Sequence, residues 1–263
     1  MITGGSRGIG KAAVLKLAKE GHVVVFTYKK EHKKAEAVVS LGGAAHAIQA
    51  DVSQESDILK VFKFIDEKYG SIDNLVNNVG ILHSQTDITQ IQVSRLKEVF
   101  ETNVIGAFVC TREAVERMSK ACGGQGGSIM NISSAAARLG VPKEYVDYAA
   151  SKGALDSMTR GVALEVADQG IRVNAIRPGF IYTDIHADGG EADRVNRVAQ
   201  MIPMKRGGGT PKEVADVISW LLSPSASYIT NNLIDVAGGK QKLGVTIDRN
   251  RISHCSLRIG KIL

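Results

Sequence analysis

Tyr148 and Lys152 are spaced so that they could transfer protons together. They stand four residues apart in a segment, residues 145–168, whose pattern predicts one long helix, and side chains at positions i and i+4 share a helix face. A free tyrosine has a pKa of about 10, and a neighbouring ammonium group favours the phenolate. The pair is therefore a candidate acid and base for interconverting a carbonyl and an alcohol. Most pairs with this spacing are solvated surface residues, so the spacing alone is a weak signal.

Ser134 and Asn103 could assist such a pair. Ser134 comes just after the predicted strand at residues 128–132, and ligands of open parallel sheets bind at the carboxyl ends of the strands. A serine at this point could instead cap a helix or form a turn. Asn103 is an amide within the predicted helix at residues 93–120, where asparagine is a poor helix former. It is either a packed amide or a bridge, through its backbone or a water, towards Lys152.

A glycine-rich segment near the start of the chain has the features of a phosphate-binding loop. It reads Thr3-Gly4-Gly5-Ser6-Arg7-Gly8-Ile9-Gly10 and leads into a predicted helix. Glycine lets the backbone approach a ligand closely, and a helix N-terminus offers free N–H groups and a positive dipole to a phosphate. The segment therefore predicts dinucleotide binding. Only Met1 and Ile2 precede it, where a buried strand is expected, and so we expect a truncated first strand.

The elements that must position these residues alternate between short apolar runs and helical patterns, which predicts repeated βαβ units and a parallel sheet. Arg177-Pro178-Gly179 is expected to break the fifth of these strands, and residues 184–209 are polar and irregular, as in a mobile flap. Strands are predicted at residues 23–26, 44–50, 73–77, 128–132, 171–176 and 233–236, and helices at residues 9–20, 31–41, 54–69, 93–120, 145–168 and 211–222.

Composition and charge narrow the classes of protein. The 263 residues are 44% hydrophobic, which is enough to form one large hydrophobic core. We therefore expect a single dinucleotide-binding and catalytic domain at residues 1–239. Residues 240–263 hold six Lys and Arg against one Asp, and so five of the six net positive charges. They form a basic C-terminal extension of unknown role. No basic face carries interleaved aromatics, which argues against a nucleic-acid partner.

Cysteine, histidine and hydropathy patterns point to a reduced compartment. The three cysteines are widely spaced with no CxxC pair, and the six histidines show no metal-ligand spacing, so we expect no disulfide framework and no metal. No signal peptide opens the sequence and no run approaches the roughly 18–20 apolar residues that span a bilayer. We therefore expect a cytoplasmic protein with no membrane partner.

Taken together, these motifs resemble the short-chain dehydrogenase/reductase family, in the family's order and spacing from residue 3 to about residue 239. The likeness is greatest to bacterial oxidoreductases of the glucose-dehydrogenase and 3-oxoacyl-reductase type. It implies a single-domain Rossmann-type α/β fold, a doubly wound parallel sheet with strand order 3-2-1-4-5-6-7. The matching pieces are Thr3-Gly4, Gly8, Gly10, Asp51-Val52, Asn77-Asn78-Val79-Gly80, Asn103, Ser134, Tyr148, Lys152, Asn174 and Pro178-Gly179.

The resemblance implies a role for each catalytic candidate. Tyr148 would be the general acid in reduction and the base in oxidation, and Lys152 would lower its pKa and hold the nicotinamide ribose. Ser134 would hydrogen-bond the substrate oxygen, and Asn103 would support a proton-relay water. Ser134 and Tyr148 are 14 residues apart where the family usually has 13, and one extra residue fits in the loop around Pro142.

The resemblance also implies a cofactor-binding set. The glycine loop would hold the pyrophosphate and adenosine side, Asp51 would accept from the adenine amine, Asn78 would touch the adenosine ribose region, and Ile181 and Thr183 would meet the carboxamide and phosphate. Val79 replaces the family's usual alanine, from which we expect modest crowding. The full set is Gly4, Gly5, Ser6, Arg7, Gly8, Ile9, Gly10, Thr27, Tyr28, Lys29, Asp51, Val52, Asn78, Val79, Gly80, Tyr148, Lys152, Pro178, Gly179, Ile181 and Thr183.

The end of the predicted strand at residues 23–26 indicates which nicotinamide cofactor is used. An acidic residue there would bind the ribose 2′-OH of NAD and repel a 2′-phosphate. The chain has Thr27-Tyr28 followed by Lys29-Lys30, with Arg7 in the glycine loop. A hydroxyl and cations favour NADP(H), and NAD(H) is the alternative if the lysines are only solvated loop charges.

The sequence therefore predicts an NADP(H)-dependent oxidoreductase that transfers hydride between nicotinamide and a small-molecule carbonyl or secondary alcohol. The alternative is a catalytically weak nucleotide-binding or scaffold protein of the same fold. The resemblance further implies a homo-oligomer, a tetramer or dimer. The substrate cannot be read from the flap at residues 184–209, which mixes charged, polar and apolar side chains.

Overall fold

A parallel sheet between two layers of helices forms the part of the chain that the computed structural model describes, residues 1–240. The predicted α/β architecture is thereby confirmed. Residues 241–263, nearly all of the predicted basic extension, lie outside the described residues. The strands are β1 (Val24–Tyr28), β2 (Ala45–Gln49), β3 (Asn74–Asn77), β4 (Gly127–Ile132), β5 (Ile171–Pro178) and β6 (Leu233–Val236).

Ile2 joins two groups of strands into one continuous order. β1 pairs with β2, and β3 through β6 pair in sequence, all in parallel. Ile2, which is 1% exposed, bridges Phe26 of β1 on one side and Val76 of β3 on the other. The spatial order is therefore β2-β1-Ile2-β3-β4-β5-β6. Ile2 thus stands, as a two-sided bridge, at the place where the sequence predicts the first strand.

Helices cover both faces of the sheet. Helices α1, α2 and α10 pack on one face around Phe26 and Ile218, and α3, α5 and α7 pack on the other around Phe62 and Met118. The helices are α1 (Gly8–Lys19), α2 (His32–Gly42), α3 (Glu55–Tyr69), α4 (Val93–Phe100), α5 (Gly106–Met118), α6 (Ala136–Leu139), α7 (Val146–Val166), α8 (Ile185–Asp188), α9 (Arg194–Val198) and α10 (Pro211–Leu222). None of the helices within residues 1–240 is long and apolar enough to cross a lipid bilayer.

The prediction of a single helix at residues 93–120 is wrong in the middle of that range. A π-helix, Glu101–Ile105, separates α4 from α5, and the backbone N–H of Gly106 bonds to the carbonyl of Glu101, five residues earlier. Periodicity alone could not show this wider turn, because one inserted residue barely alters the apolar pattern. Such insertions often mark functional positions, and Asn103 stands at the centre of this one.

The strand expected to break at Arg177-Pro178-Gly179 does end within this tripeptide, but two residues later than predicted, since β5 continues through Pro178. Pro178 pairs with Val236 of β6, and its carbonyl accepts a hydrogen bond from the Ala135 N–H at 2.9 Å. Proline lacks only the donor, so it fits the end of a strand where its carbonyl is still used. The segment at residues 184–209, predicted as irregular, contains the short helices α8 and α9. We call the whole segment, residues 184–209, the flap.

Candidate active site

A cavity of about 600 Å³ lies along the carboxyl ends of the strands, where an open parallel sheet binds its ligands. The glycine loop forms part of its wall, and Ser134, Tyr148 and Lys152 form another part. All of the predicted site residues line this cavity except Gly5 and Asn103. The structure thus brings together motifs that are separated by more than a hundred residues in the sequence.

The glycine loop needs glycine for two different reasons. Gly4 and Gly8 have φ angles of +69° and +56°, a region that other residues rarely adopt. A Cβ at Gly10 would lie 2.1 Å from the Gly4 carbonyl oxygen, and one at Gly5 would lie 2.6 Å from the Phe26 side chain. Gly5 therefore packs against β1, and the other glycines shape the start of α1 for a ligand.

Hydroxyl and amide side chains hold the loop in place. The Thr27 hydroxyl accepts a hydrogen bond from the Gly4 N–H at 3.1 Å. The Thr3 hydroxyl accepts from the N–H groups of Asn78 and Val79 at 2.9 and 3.1 Å. In return, the Asn78 amide donates to the carbonyls of Thr3 and Gly4 at 2.9 and 3.0 Å. The predicted cofactor residues Thr27 and Asn78 therefore position the loop, and Thr3 joins them although the sequence did not assign it a role.

Lys152 is a buried ammonium group at the base of the cavity. Its Nζ donates to the carbonyl of Ile132 at 2.8 Å and lies 5.7 Å from the centre of the Tyr148 ring. Burial lowers the pKa of Lys152 to about 8, and the nearby carboxylate of Asp156 opposes that effect in part. A Cβ at Gly80 would come within 3.0 Å of Nζ, so glycine at this position leaves room for the ammonium group.

The phenol of Tyr148 differs from its expected state. Burial raises the pKa of Tyr148, and the Ser134 hydroxyl and the charge of Arg194 oppose the rise only in part. The sequence predicts a lowered pKa through Lys152, but burial is the larger effect in this structure. The phenol is therefore protonated at neutral pH.

The neighbouring Ser133 has a structural role. Its hydroxyl donates to the Lys152 carbonyl at 3.1 Å, so it contributes to the packing of α7.

Asn103 contacts backbone and does not line the cavity. Its carbonyl oxygen accepts from the Ile81 N–H at 2.8 Å, and its amide donates to the Ile81 carbonyl at 2.9 Å and to the Ser151 hydroxyl at 3.0 Å. The side chain is fully buried. Of the two interpretations of Asn103, the packed amide describes its side chain, which fixes the segment after β3 onto the π-helix.

Two cations near the glycine loop are paired with carboxylates. Lys29 Nζ lies 2.6 Å from Asp51 Oδ2, and Arg7 Nη2 lies 2.5 Å from Asp188 Oδ2 in the flap. Burial of Asp51 works against its ionisation, yet the hydrogen bonds from Lys29 and Ser53 outweigh burial and lower the pKa of Asp51. Both predicted phosphate contacts are thus within reach of the cavity but engaged by acidic side chains.

The flap contributes a residue that the sequence did not single out. Arg194, 5% exposed, lines the cavity together with Tyr145 and Phe180. The Tyr145 hydroxyl donates to the Gly189 carbonyl at 3.0 Å and so fastens the flap to the start of α7. In the sequence Tyr145 lacks the spacing of Tyr148 and Lys152, because Ala149, not lysine, follows it four residues later. Neither residue belongs to a motif, so only the fold reveals them.

The arrangement fits an extended dinucleotide. The glycine loop and the start of α1 supply backbone N–H groups and a positive dipole for a pyrophosphate. Further along the same cavity, a hydroxyl, a phenol and an ammonium group converge where a carbonyl could be reduced. These are the donor types that a dinucleotide and a carbonyl substrate require.

Comparison with known proteins agrees with this chemistry. The family model described as Enoyl-(Acyl carrier protein) reductase matches residues 4–241. An uncharacterized oxidoreductase of Escherichia coli K12, YgfF, is 53% identical over 244 residues, which cover 91% of this chain and 98% of that protein. The crystal structure of 3-ketoacyl-(acyl-carrier-protein) reductase from Brucella melitensis complexed with NADH has a TM-score of 0.85 at 31% identity, covering 91% of this chain and 96% of that one. ElxO with NADP bound has a TM-score of 0.80 at 32% identity, covering 90% and 96%.

Proposed function

The chain belongs to the short-chain dehydrogenase/reductase family and is an oxidoreductase, and on that premise we propose that it reduces a small-molecule carbonyl compound with NADP(H), or oxidises the corresponding secondary alcohol. The observation that carries the proposal is the shared cavity. It holds Ser134, Tyr148 and Lys152 beside a loop built for a pyrophosphate. Tyr148, Lys152 and Ser134 are the proposed catalytic residues, with Asn103 in support.

In this proposal Tyr148 provides the proton. A bound nicotinamide supplies or accepts the hydride. The phenol of Tyr148 donates its proton to the carbonyl oxygen during reduction, and the Ser134 hydroxyl hydrogen-bonds the same oxygen. The raised pKa of Tyr148 suits this role, because the phenol must be protonated before it can act as an acid. In the oxidation direction the phenolate takes the proton from the alcohol.

Lys152 and Asn103 act around the phenol. The Lys152 ammonium group stabilises the phenolate left after proton donation and holds the nicotinamide ribose. The Asn103 side chain is committed to Ile81 and Ser151, so any relay water must be held by the Asn103 backbone. Asn103 stands at the centre of the π-helix, and such insertions often occur at functional sites, which supports that part of the proposal.

For the cofactor, the proposal favours NADP(H) over NAD(H). Tyr28 ends β1 without a carboxylate, and Arg7, Lys29 and Lys30 line the adjoining wall of the cavity. Among similar structures one holds NADH and another NADP, so the family accommodates both. A direct test measures the dissociation constants of NADPH and NADH, with Arg7→Ala and Lys29→Ala expected to weaken NADPH binding selectively.

The reaction is tested by NADPH consumption against a panel of ketones, oxoacyl thioesters and sugars. Turnover of at least one class, abolished in Tyr148→Phe, supports the proposal. The alternative, a catalytically weak nucleotide-binding or scaffold protein, predicts tight NADPH binding with no turnover of any class.

We also propose that the protein is a cytoplasmic homo-oligomer, a dimer or tetramer. Cys110 and Cys122 are free thiols, as expected in a reducing compartment. Ile105 and Phe108 are about half exposed, at 53% and 48%, and large apolar side chains on one helical surface favour burial against a second copy. Light scattering of the purified protein measures its mass directly, and a monomer at micromolar concentration would contradict this.

A further inference from the structure

Arg194 is a buried cation on the flap side of the cavity. It begins α9, and its guanidinium carbon lies 4.7 Å from the centre of the Tyr145 ring and 5.6 Å from that of Phe180. Only 7% of its side chain is exposed. Two aromatic rings and a short helix therefore hold the guanidinium group in one position.

The hydrogen bonding of Arg194 is incomplete. Its Nη2 donates to a carboxylate oxygen of Glu144, whereas Nη1 is buried and has no hydrogen-bond partner among residues 1–240. A buried donor without a partner is unfavourable, because it has lost its hydration without gaining a hydrogen bond. The structure thus retains a charged donor whose remaining hydrogen-bonding capacity the protein itself does not use.

The guanidinium group is close to the reacting centre. Tyr145, against whose ring Arg194 packs, immediately precedes α7, and Tyr148 lies in the first turn of that helix. Arg194 and Tyr148 line the same cavity. The charge of Arg194 reaches the phenol, since it favours the Tyr148 phenolate and opposes the rise in its pKa. A substrate whose carbonyl contacts Tyr148 would place a nearby substituent beside Arg194.

Charges around the cavity leave Arg194 available to an anion. Its partner Glu144 does not line the cavity, so that carboxylate does not occupy the space that a substrate would enter. The carboxylates that do line the cavity each lie within 4 Å of another basic side chain, for example Asp188 beside Arg7 and Asp51 beside Lys29.

We propose that Nη1 of Arg194 binds a carboxylate of the substrate, which makes the preferred substrate class oxo acids whose carboxylate lies within a few bonds of the reacting carbonyl. The proposal rests on the proposed function of this site. A carboxylate offers a planar pair of acceptors that matches the guanidinium fork, and a charge-assisted hydrogen bond is stronger than one to a neutral ester or thioester oxygen. Arg194 would then select the substrate and orient it for Tyr148.

The test compares oxo acids of increasing chain length with their methyl esters in NADPH-dependent reduction. For the wild-type protein we expect the acid to be favoured in kcat/KM. In Arg194→Met we expect kcat/KM for the acid to fall about 10- to 100-fold, mainly through KM, with little change for the ester. Arg194→Lys, which keeps the charge but not the fork, should restore part of the preference.

Arg197→Met is the matched control. Arg197 also approaches Glu144, at 3.6 Å, but it is half exposed and does not line the cavity, so the preference for acids should persist in this variant. Equal use of acids and esters by the wild-type protein would overturn the proposal. So would an equal loss for both substrates in Arg194→Met and Arg194→Lys when their melting temperatures match the wild type.

A binding measurement separates this proposal from the proposed function. If no carbonyl compound is reduced, the proposed function fails, and thermal protection by the hydroxy acids that reduction would produce still tests Arg194. Protection of the wild-type protein and Arg197→Met but not of Arg194→Met supports the carboxylate site. Equal protection of all three, or of none, contradicts it.

Discussion

Lys152 Nζ lies 5.7 Å from the centre of the Tyr148 ring, and burial acts in opposite directions on the two groups. It raises the pKa of the phenol and lowers the pKa of the ammonium group to about 8. Both shifts favour the uncharged form, because a charge loses solvation when it is buried. In this structure the phenol of Tyr148 is therefore protonated, which is the state that carbonyl reduction requires.

The first prediction concerns the pH dependence of the two reaction directions. Because the pKa of Tyr148 is raised, the phenol stays protonated at neutral pH. We expect kcat/KM for ketone reduction to be flat from about pH 6 to 7, below the pKa of about 8 at which Lys152 loses its charge. The same quantity for alcohol oxidation should keep rising beyond about pH 9, since it needs the phenolate. Steady-state rates in both directions across this range provide the measurement. An oxidation profile that levels off below about pH 7 would show that the phenol is far more acidic than its burial implies.

A second prediction concerns the stability contributed by Lys152. Its pKa is about 8 in the folded protein, against 10.5 for a free lysine side chain. Between these two pH values the unfolded chain therefore binds more protons than the folded one. The free energy of unfolding then rises with pH across this window and is constant below it. Relative to Lys152→Met, the wild-type protein should gain about 3 kcal/mol between pH 7.5 and 10.5. Urea unfolding of both proteins at several pH values measures this difference. If the free energies of unfolding of the two proteins changed with pH in parallel, Lys152 would titrate like a free lysine.

The third prediction concerns the bond between Asn103 and Ile81. Asn103→Ala leaves the Ile81 N–H and carbonyl without their partners, which should lower the free energy of unfolding by roughly 2–4 kcal/mol. Asn196→Ala removes an exposed amide in the flap and is expected to change stability by no more than about 0.5 kcal/mol. Chemical denaturation of the two variants measures the difference. A similar small effect in both variants would show that the hydrogen bonds between Asn103 and Ile81 contribute little to stability.

The fourth prediction concerns Asp188, which pairs with Arg7 at 2.5 Å. Both side chains are about two-fifths exposed, so the pair is worth at most about 1 kcal/mol. Asp188→Asn frees Arg7 for a 2′-phosphate and should tighten NADPH binding about 2- to 5-fold without changing NADH binding. Fluorescence titration with each cofactor checks this, with Asp193→Asn as a control elsewhere in the flap. Weaker NADPH binding in Asp188→Asn would show that the carboxylate supports the site.

The parts of the site that could be predicted from the sequence are those where local chemistry requires one residue type. Gly4 and Gly8 occupy backbone conformations that favour glycine, and the spacing of Tyr148 and Lys152 places them on one helix face. The strands were predicted to within a few residues because buried β-branched runs between glycines are distinctive. The hydroxyl of Ser134, just after a predicted strand, marks it as a site residue, and Ser134 lines the cavity together with Tyr148.

The rest depended on contacts between distant segments. The π-helix around Asn103 resembles an ordinary helix in its apolar pattern, and only its docking on Ile81 distinguishes it. Arg194 occurs among other charged residues of the flap, and nothing in its neighbours indicates that Tyr145 and Phe180 will enclose it. The direction of the Tyr148 pKa shift depends on burial, which the spacing of two residues does not reveal.

The central claim, that Tyr148 is the proton donor in a nicotinamide-dependent carbonyl reduction, is tested most directly by comparing Tyr148→Phe with the wild-type protein on the best substrate of the panel. Both the NADPH dissociation constant and kcat are measured. We expect NADPH binding within about 2-fold of the wild type and kcat reduced at least about 100-fold, in line with the usual contribution of general acid catalysis. A variant that binds NADPH and turns over at the wild-type rate would contradict the account.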